Sequence, residues 1–308
     1  MTNLSDDELI RLDDEFALLP ENAEQAGVSG PLPPVTRIES GPISALKWGA
    51  EPPQVVFLHG GGQNAHTWDT VILGLGVPAL AIDLPGHGRS AWREDGDYGP
   101  RLNADTLLPV LREWAPTPRL AVGMSLGGLT ALRIATLEPA LVPKLVLVDV
   151  TPSAPERHEQ MSQAQLGAVA LVKGERTFDS FAAMLDVTIA ASPTRSRESL
   201  RRGVFHNSKQ LDDGTWTWRY DSFRKGAANG DGLPESFAGL WDDVPSITMP
   251  TTLVRGANSY FVNDADADEF ARTAPGFQQV IVVPDSGHSV QGDQPRVLTQ
   301  ILRDVLGG

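Results

Sequence analysis

Cysteine is absent from the 308 residues. That excludes disulfides, thiol catalysis and zinc or iron–sulfur sites with cysteine ligands. Basic charge is scarce: 25 Lys and Arg stand against 39 Asp and Glu, a formal net charge of −14. Phosphate backbones and anionic membrane surfaces are gripped by basic clusters, so neither nucleic acid nor a membrane is expected as a partner. Long hydrophobic runs are missing as well, and stretches such as Leu145 to Val148 are far too short to span a bilayer. Met1 to Ile10 is acidic and has no basic stretch leading into an apolar one. No export signal is expected, and the cytoplasm is the expected location. H-E-x-x-H, G-x-G-x-x-G and the phosphate-loop lysine are all absent, so no metal and no cofactor are expected.

What is present falls into three stretches. Ser5 to Glu8 has capping-box form, and Leu9, Leu12, Phe16 and Leu19 follow at helical spacing. This predicts an amphipathic helix ended by Pro20, with an extended linker through Gly30, Pro31, Pro33 and Pro34, so residues 1–34 read as an N-terminal helix and linker. From residue 35 short apolar runs alternate with helical stretches. Val35–Glu39 and Ile43–Trp48 read as an antiparallel opening pair. Gln54–Leu58, Ala79–Asp83, Leu120–Gly123 and Lys144–Val150 read as buried parallel strands, with helices at Trp68–Leu75, Asn103–Trp114 and Leu126–Leu137. The rhythm stops over about 152–248 and resumes with a strand at Thr251–Val254, a helix at Asp264–Thr273, a strand at Gln279–Val283 and a helix at Pro295–Leu306. Residues 35–151 and 249–308 are therefore expected to form one α/β core, a mostly parallel sheet with helices on both faces. Residues 152–248 are expected to be an inserted helical cap over the carboxyl edge of the strands, where ligands bind. Within the cap, Met161, Leu166, Phe178, Phe181, Met184 and Leu185 read as its own core. Trp216, Trp218 and Tyr220 share one face of an extended segment, either packing the cap or walling a ligand.

The chemistry concentrates at strand ends. Gly123-Met124-Ser125-Leu126-Gly127 fits G-x-S-x-G between a strand and a helix, the context in which a tight turn exposes a serine hydroxyl as nucleophile. His59-Gly60-Gly61-Gly62 follows the strand ending at Leu58. An oxyanion needs two aimed N–H donors, and the expected pair is the backbone of Gly61 and of Leu126, the residue after the nucleophile. Of six histidines, only His288 follows the last expected strand, so it is the expected general base. His59 and His87 read as structural turn residues, and His66 as a pocket-lining or packing residue.

Together these stretches resemble the α/β-hydrolase superfamily, specifically its capped members. The resemblance rests on Phe57 to Gly62, Ala81 to Ser90, Val122 to Gly128, Leu145 to Asp149 and Ser286-Gly287-His288. It implies a cofactor-free hydrolase and makes epoxide hydrolase and haloalkane dehalogenase chemistry unexpected, because those carry aspartate where this chain has Ser125. The family's usual acid follows the strand at Thr251–Val254, where this chain has Ser259 and Tyr260. Asp149 is expected to supply it instead, as dehalogenase-like relatives place an acid at that strand end. Asp264 and a triad lacking a carboxylate are the alternatives. The expected activity is hydrolysis of a small to medium, largely uncharged ester or lactone through a seryl acyl-enzyme. A carbon–carbon bond hydrolase of a ring-cleavage product and a non-hydrolytic ligand-binding protein are the alternatives. A small-molecule substrate is the expected partner, and oligomeric state is not legible.

Overall fold

The computed structural model describes residues 5–307 except 13, 168, 170, 172, 173, 194 and 222–234. Residues 1–4 of the opening, and 222–234 of the expected cap, therefore lie outside the described residues. The apolar runs form β1 (Val35–Ser40), β2 (Ile43–Trp48), β3 (Val55–Leu58), β4 (Ala79–Asp83), β5 (Leu120–Met124), β6 (Leu145–Val148), β10 (Thr251–Gly256) and β11 (Phe277–Val283). They pair in the order β1-β2-β4-β3-β5-β6-β10-β11. β2 runs antiparallel to both its neighbours and the other pairs are parallel. The inner parallel strands β3, β4, β5, β6 and β10 are buried on both faces, because successive side chains point oppositely and helices cover both sides, whereas the edge strand β11 leaves Gln278, Gln279 and Val282 exposed. Thus Val56 and Leu58 pack with the helices Pro100–Trp114, Leu126–Leu137 and Asp264–Thr273, while Val55 and Phe57 pack with Asp69–Leu75 and Pro295–Gly307.

Two expectations need correction. The N-terminal stretch is not one helix ended by Pro20. A single turn, Asp6–Leu9, is closed by the Ser5–Glu8 capping box, and a second helix, Leu19–Ala26, begins with Pro20 in its first turn. Proline removes an N–H that has no intrahelical partner there, so it starts this helix rather than stopping one. Only the stretch from Gly27 onward is linker. The 152–248 insertion is likewise not purely helical. A three-stranded antiparallel sheet, β7 (Thr177–Phe178), β9 (Trp216–Trp218) and β8 (Ser208–Gln210), sits beside the helices Phe181–Ala191 and Arg197–Asn207. Trp216, Trp218 and Tyr220 are buried with Phe178, Phe181, Met184 and Leu185, so the aromatic stripe packs the insertion together. Among the described residues no helix is long and apolar enough to cross a membrane.

Candidate active site

β5 runs into the helix Leu126–Leu137 through Ser125, which is held at φ 51°, ψ −121°. A non-glycine residue at positive φ costs on the order of 1–3 kcal/mol and persists only when its surroundings enforce it. The enforcement is steric. A Cβ at Gly123 would stand 2.5 Å from Gly127 O, and one at Gly128 would stand 2.5 Å from Val150 Cγ1. The Ser125 N–H donates to Val148 O at 3.2 Å, tying the turn to β6. Leu126 begins the helix, so its N–H has no intrahelical acceptor.

The glycine loop after β3 lies against this turn. A Cβ at Gly60 would collide with Met124 Sδ and stand 3.2 Å from Ser125 Cβ, whereas the space beside Gly61 is open. The loop is braced from several sides. Gly60 N–H donates to Gln63 Oε1 at 3.2 Å, and Gln63 Nε2 donates to Ser289 Oγ at 3.2 Å. Asn207, from the insertion, donates to Gly62 O at 2.6 Å and accepts from Asn64 Nδ2 at 2.7 Å. His59 is wholly buried, its Nδ1 2.8 Å from Gly60 O and its Nε2 accepting the Leu84 N–H at 3.0 Å. Burial, with the nearby His87, pushes its pKa down to about 3, so it is a neutral brace.

At the end of β6, Asp149 is fully buried at φ 52°. Its Oδ2 lies 2.7 Å from His288 Nδ1, and its Oδ1 accepts the Gly256 N–H at 3.1 Å. Ser259 Oγ donates to the same Oδ2 that faces His288. Asp264 is far from this arrangement in character. Its side chain is 88% exposed and paired with Arg255, while Asp266 caps its own helix and pairs with Arg157 at 2.6 Å. Tyr260 points outward, 56% exposed. The structure thus brings His288 and Asp149 together and leaves Asp264 apart. Sequence reasoning missed Phe261, whose ring stacks on His288 at 3.6 Å and 16°. It also missed Asn207. Both contacts join segments distant in sequence, and no local pattern marks them.

A cavity of about 160 Å³ opens beside Gly61, Gly62 and Gln63 and is lined across the way by Leu200, Val204 and Trp218 of the insertion. His66 and His206 also line it, their rings stacked at 3.8 Å. Among the described residues, His66, Asp69 and His206 form the one group whose donor atoms, all within 4.8 Å of one another, could hold a metal. His66 Nδ1 is already 2.9 Å from Asp69 Oδ2, and rings stacked at 9° keep their in-plane lone pairs parallel rather than convergent. Burial opposes the charge of His66, but the Asp69 carboxylate and the hydrogen bond that His66 donates to Glu15 outweigh it and raise the pKa to about 9. His206 is pushed well down by burial and by the charge of His66, so the stack is one charged ring on one neutral ring.

A strained serine on a strand-to-helix turn, a glycine loop against it, and a histidine bonded to a buried carboxylate at the carboxyl edge of a parallel sheet define a hydrolase of the α/β class. Residues 55–301 match the model of the Alpha/beta hydrolase family, and the chain belongs to that family. It is 64% identical over 303 residues to Esterase Rv0045c of Mycobacterium tuberculosis, covering 98% of this chain and 99% of the relative. The crystal structure of that esterase matches with a TM-score of 0.86 at 59% identity, over 100% of both chains. A more distant relative is 2-(acetamidomethylene)succinate hydrolase of Mesorhizobium japonicum, 25% identical over 260 residues, 82% of this chain and 88% of the relative.

Proposed function

We propose that this chain, an ester hydrolase like its 64%-identical relative, cleaves a small to medium, largely uncharged ester or lactone through a seryl acyl-enzyme. The observation that carries the mechanism is the 2.7 Å contact between His288 Nδ1 and Asp149 Oδ2, at the strand end whose Val148 carbonyl holds the Ser125 N–H. Asp149 keeps the His288 proton on Nδ1 and leaves Nε2 as the base. Ser125 Oγ forms a bond to the carbonyl carbon as Nε2 takes its proton. The oxyanion is held by the Gly61 and Leu126 N–H groups. The carbon–oxygen bond of the ester then breaks, and the imidazolium returns the proton to the leaving alkoxide. Water, deprotonated by the same nitrogen, releases the acid and restores the serine.

The cavity reaches the glycine loop and Ser289 rather than Ser125 or His288 themselves, and in this reading it takes the part of an uncharged substrate beyond the reacting bond. Arg195, Arg202 and the charged His66 line it, but Arg195 pairs with Asp293 at 2.9 Å, Arg202 with Glu21 at 3.5 Å and His66 with Asp69 at 2.9 Å. They have little left to offer an anion. The insertion acts as a roof in this reading, since Leu200, Val204 and Trp218 share the cavity with Gly61. The proposal includes a cytoplasmic location, which cell fractionation tests. The mechanism is tested with a serine-directed phosphonate and an activated ester. Stoichiometric labelling of Ser125, and loss of about three or more orders of magnitude in turnover in Ser125→Ala with an unchanged melting curve, are expected. Labelling elsewhere, or an alanine variant near wild-type turnover, ends the proposal.

A further inference from the structure

The loop after β10 lacks the acid that the family usually carries there, yet two of its side chains serve the acid that stands on β6. Ser259 Oγ donates its hydrogen to Asp149 Oδ2 and accepts the Phe261 N–H at 3.2 Å. The backbone of Phe261 therefore fixes which way the hydroxyl points, and its hydrogen goes to the carboxylate. Phe261 itself is 4% exposed and lies face to face with the His288 ring. With the Gly256 N–H on Oδ1, the carboxylate is held from β10 and its loop on both oxygens. We infer that Ser259 and Phe261 are positioning residues for the base: Ser259 fixes the Asp149 carboxylate, and Phe261 fixes the plane of the His288 ring.

This rests on the roles given above to Ser125, His288 and Asp149. The two residues act on His288 in opposite directions. A hydroxyl donating to Oδ2 draws charge from the oxygen that holds the Nδ1 proton, and Ser259→Ala removes that draw. An aromatic face attracts a cationic ring, and Phe261→Leu removes that attraction. The other ionisable groups packed around the base stay unchanged in the test. These are Asp293, which accepts the Gly287 N–H at 2.8 Å and is paired with Arg195, and His158, 6.2 Å behind the Phe261 ring.

The experiment measures kcat, KM and the pH profile of kcat/KM on an activated ester for full-length Ser259→Ala, Ser259→Thr, Phe261→Leu and Asp149→Asn. Ser259→Ala should lower kcat about tenfold with KM within about twofold, as loss of an outer support does elsewhere, and move the acid limb upward. Ser259→Thr, which keeps the hydroxyl, should restore both. Phe261→Leu, which keeps the bulk, should move the acid limb downward. Should Phe261→Leu fail to fold, the Ala and Thr pair at Ser259 decides. If Asp149→Asn loses about 10³ in kcat while the acid limb stays put in the Ser259 and Phe261 variants, both residues are only packing and this inference falls alone. If Asp149→Asn keeps wild-type kcat, the underlying triad falls first.

Discussion

Around Ser125 the chain is held by backbone against backbone, whereas around His66 it is held by charged side chains. At the first place Gly127 leaves no room for a Cβ, which would meet Leu58 O and stand 2.5 Å from His59 O. At the second, three parts of the chain converge on ions. Glu15 of the N-terminal stretch pairs with Arg37 at 2.8 Å, Arg37 pairs with Asp83 at 2.8 Å, and His66 contacts both Asp69 and Glu15. Arg201 of the insertion reaches back to Asp6 at 2.6 Å. Steric enclosure holds the Ser125 turn and is indifferent to pH. Ionic convergence joins the insertion, the N-terminal stretch and the core only while the right groups are charged. The proposed nucleophile thus sits where the fold is least adjustable, and the insertion, the proposed roof, is attached where it is most adjustable.

The largest expected effect is at the rigid end. Asp149→Asn should lower kcat by roughly three to four orders of magnitude at nearly constant KM, because an amide stabilises the wrong tautomer of the histidine. Asp264→Asn, changing an exposed ion pair with Arg255, should stay within about 1 kcal/mol in stability and leave kcat alone. Steady-state kinetics on the two variants separates them, and a silent Asp149→Asn would remove the carboxylate from the mechanism.

Gly127→Ala comes next. The colliding atoms are the carbonyls of Leu58 and His59 at the end of β3, which cannot turn aside without breaking the sheet. A loss of about 3 kcal/mol or more, or outright failure to fold, is expected in urea melts. Gly61→Ala, with nothing within 4 Å of its new methyl, should melt within about 0.5 kcal/mol of the parent. Equal melts would mean that the turn is not sterically enforced.

The same contrast explains what could be read from the sequence. Strands β3 to β6 and the helix Leu126–Leu137 were legible because buried parallel strands are nearly continuous apolar runs followed by glycine or aspartate. The helix Asp264–Thr273 has the bounds its sequence suggested, but its cap, the side chain of Asn263, is seen only in the structure. Pro20 misled because proline both starts and stops helices, and only tertiary packing, here Thr70 Oγ1 donating to Asn22 Oδ1 at 2.9 Å, decides which. The insertion's strands are two or three residues long, too short for a period to show. The contacts of Asp149 with His288 and Ser259 span more than a hundred residues, so spacing could suggest the carboxylate but not exclude Asp264.

At the ionic junction the expected effect is intermediate and depends on pH. The folded-state pKa of His66 is raised to about 9, above the ordinary histidine value of 6.5. A group raised on folding stabilises fully below its unfolded pKa and loses that contribution as pH climbs through the folded one. Stability should therefore fall between about pH 6.5 and pH 9, by an amount on the order of 2 kcal/mol. Urea midpoints across that window test this, with His66→Gln expected to flatten the slope. A midpoint constant across the window would show that the junction does not depend on an imidazolium.

The smallest effect tests whether roof and core melt as one. Gly203 lies inside the insertion's helix Arg197–Asn207, exposed, with no atom within 4 Å of a prospective Cβ. Glycine in a helix interior costs about 1 kcal/mol relative to alanine, through backbone entropy alone. Gly203→Ala should therefore stabilise this helix by roughly 0.5–1 kcal/mol without touching Ser125 or His288, although Gly203 itself lines the cavity. If insertion and core unfold together, the gain appears in the global urea midpoint. If the ionic junction lets the insertion open separately, the global midpoint stays put. Amide exchange then slows only within Arg197–Asn207, by about two- to fivefold for that free energy. Raising the pH from about 6.5 to 9 should convert the first behaviour into the second, because it discharges the imidazolium on which the insertion's His206 ring stacks. Global coupling that survives at pH 9 would mean that apolar contacts, not the charges around His66, fasten the roof.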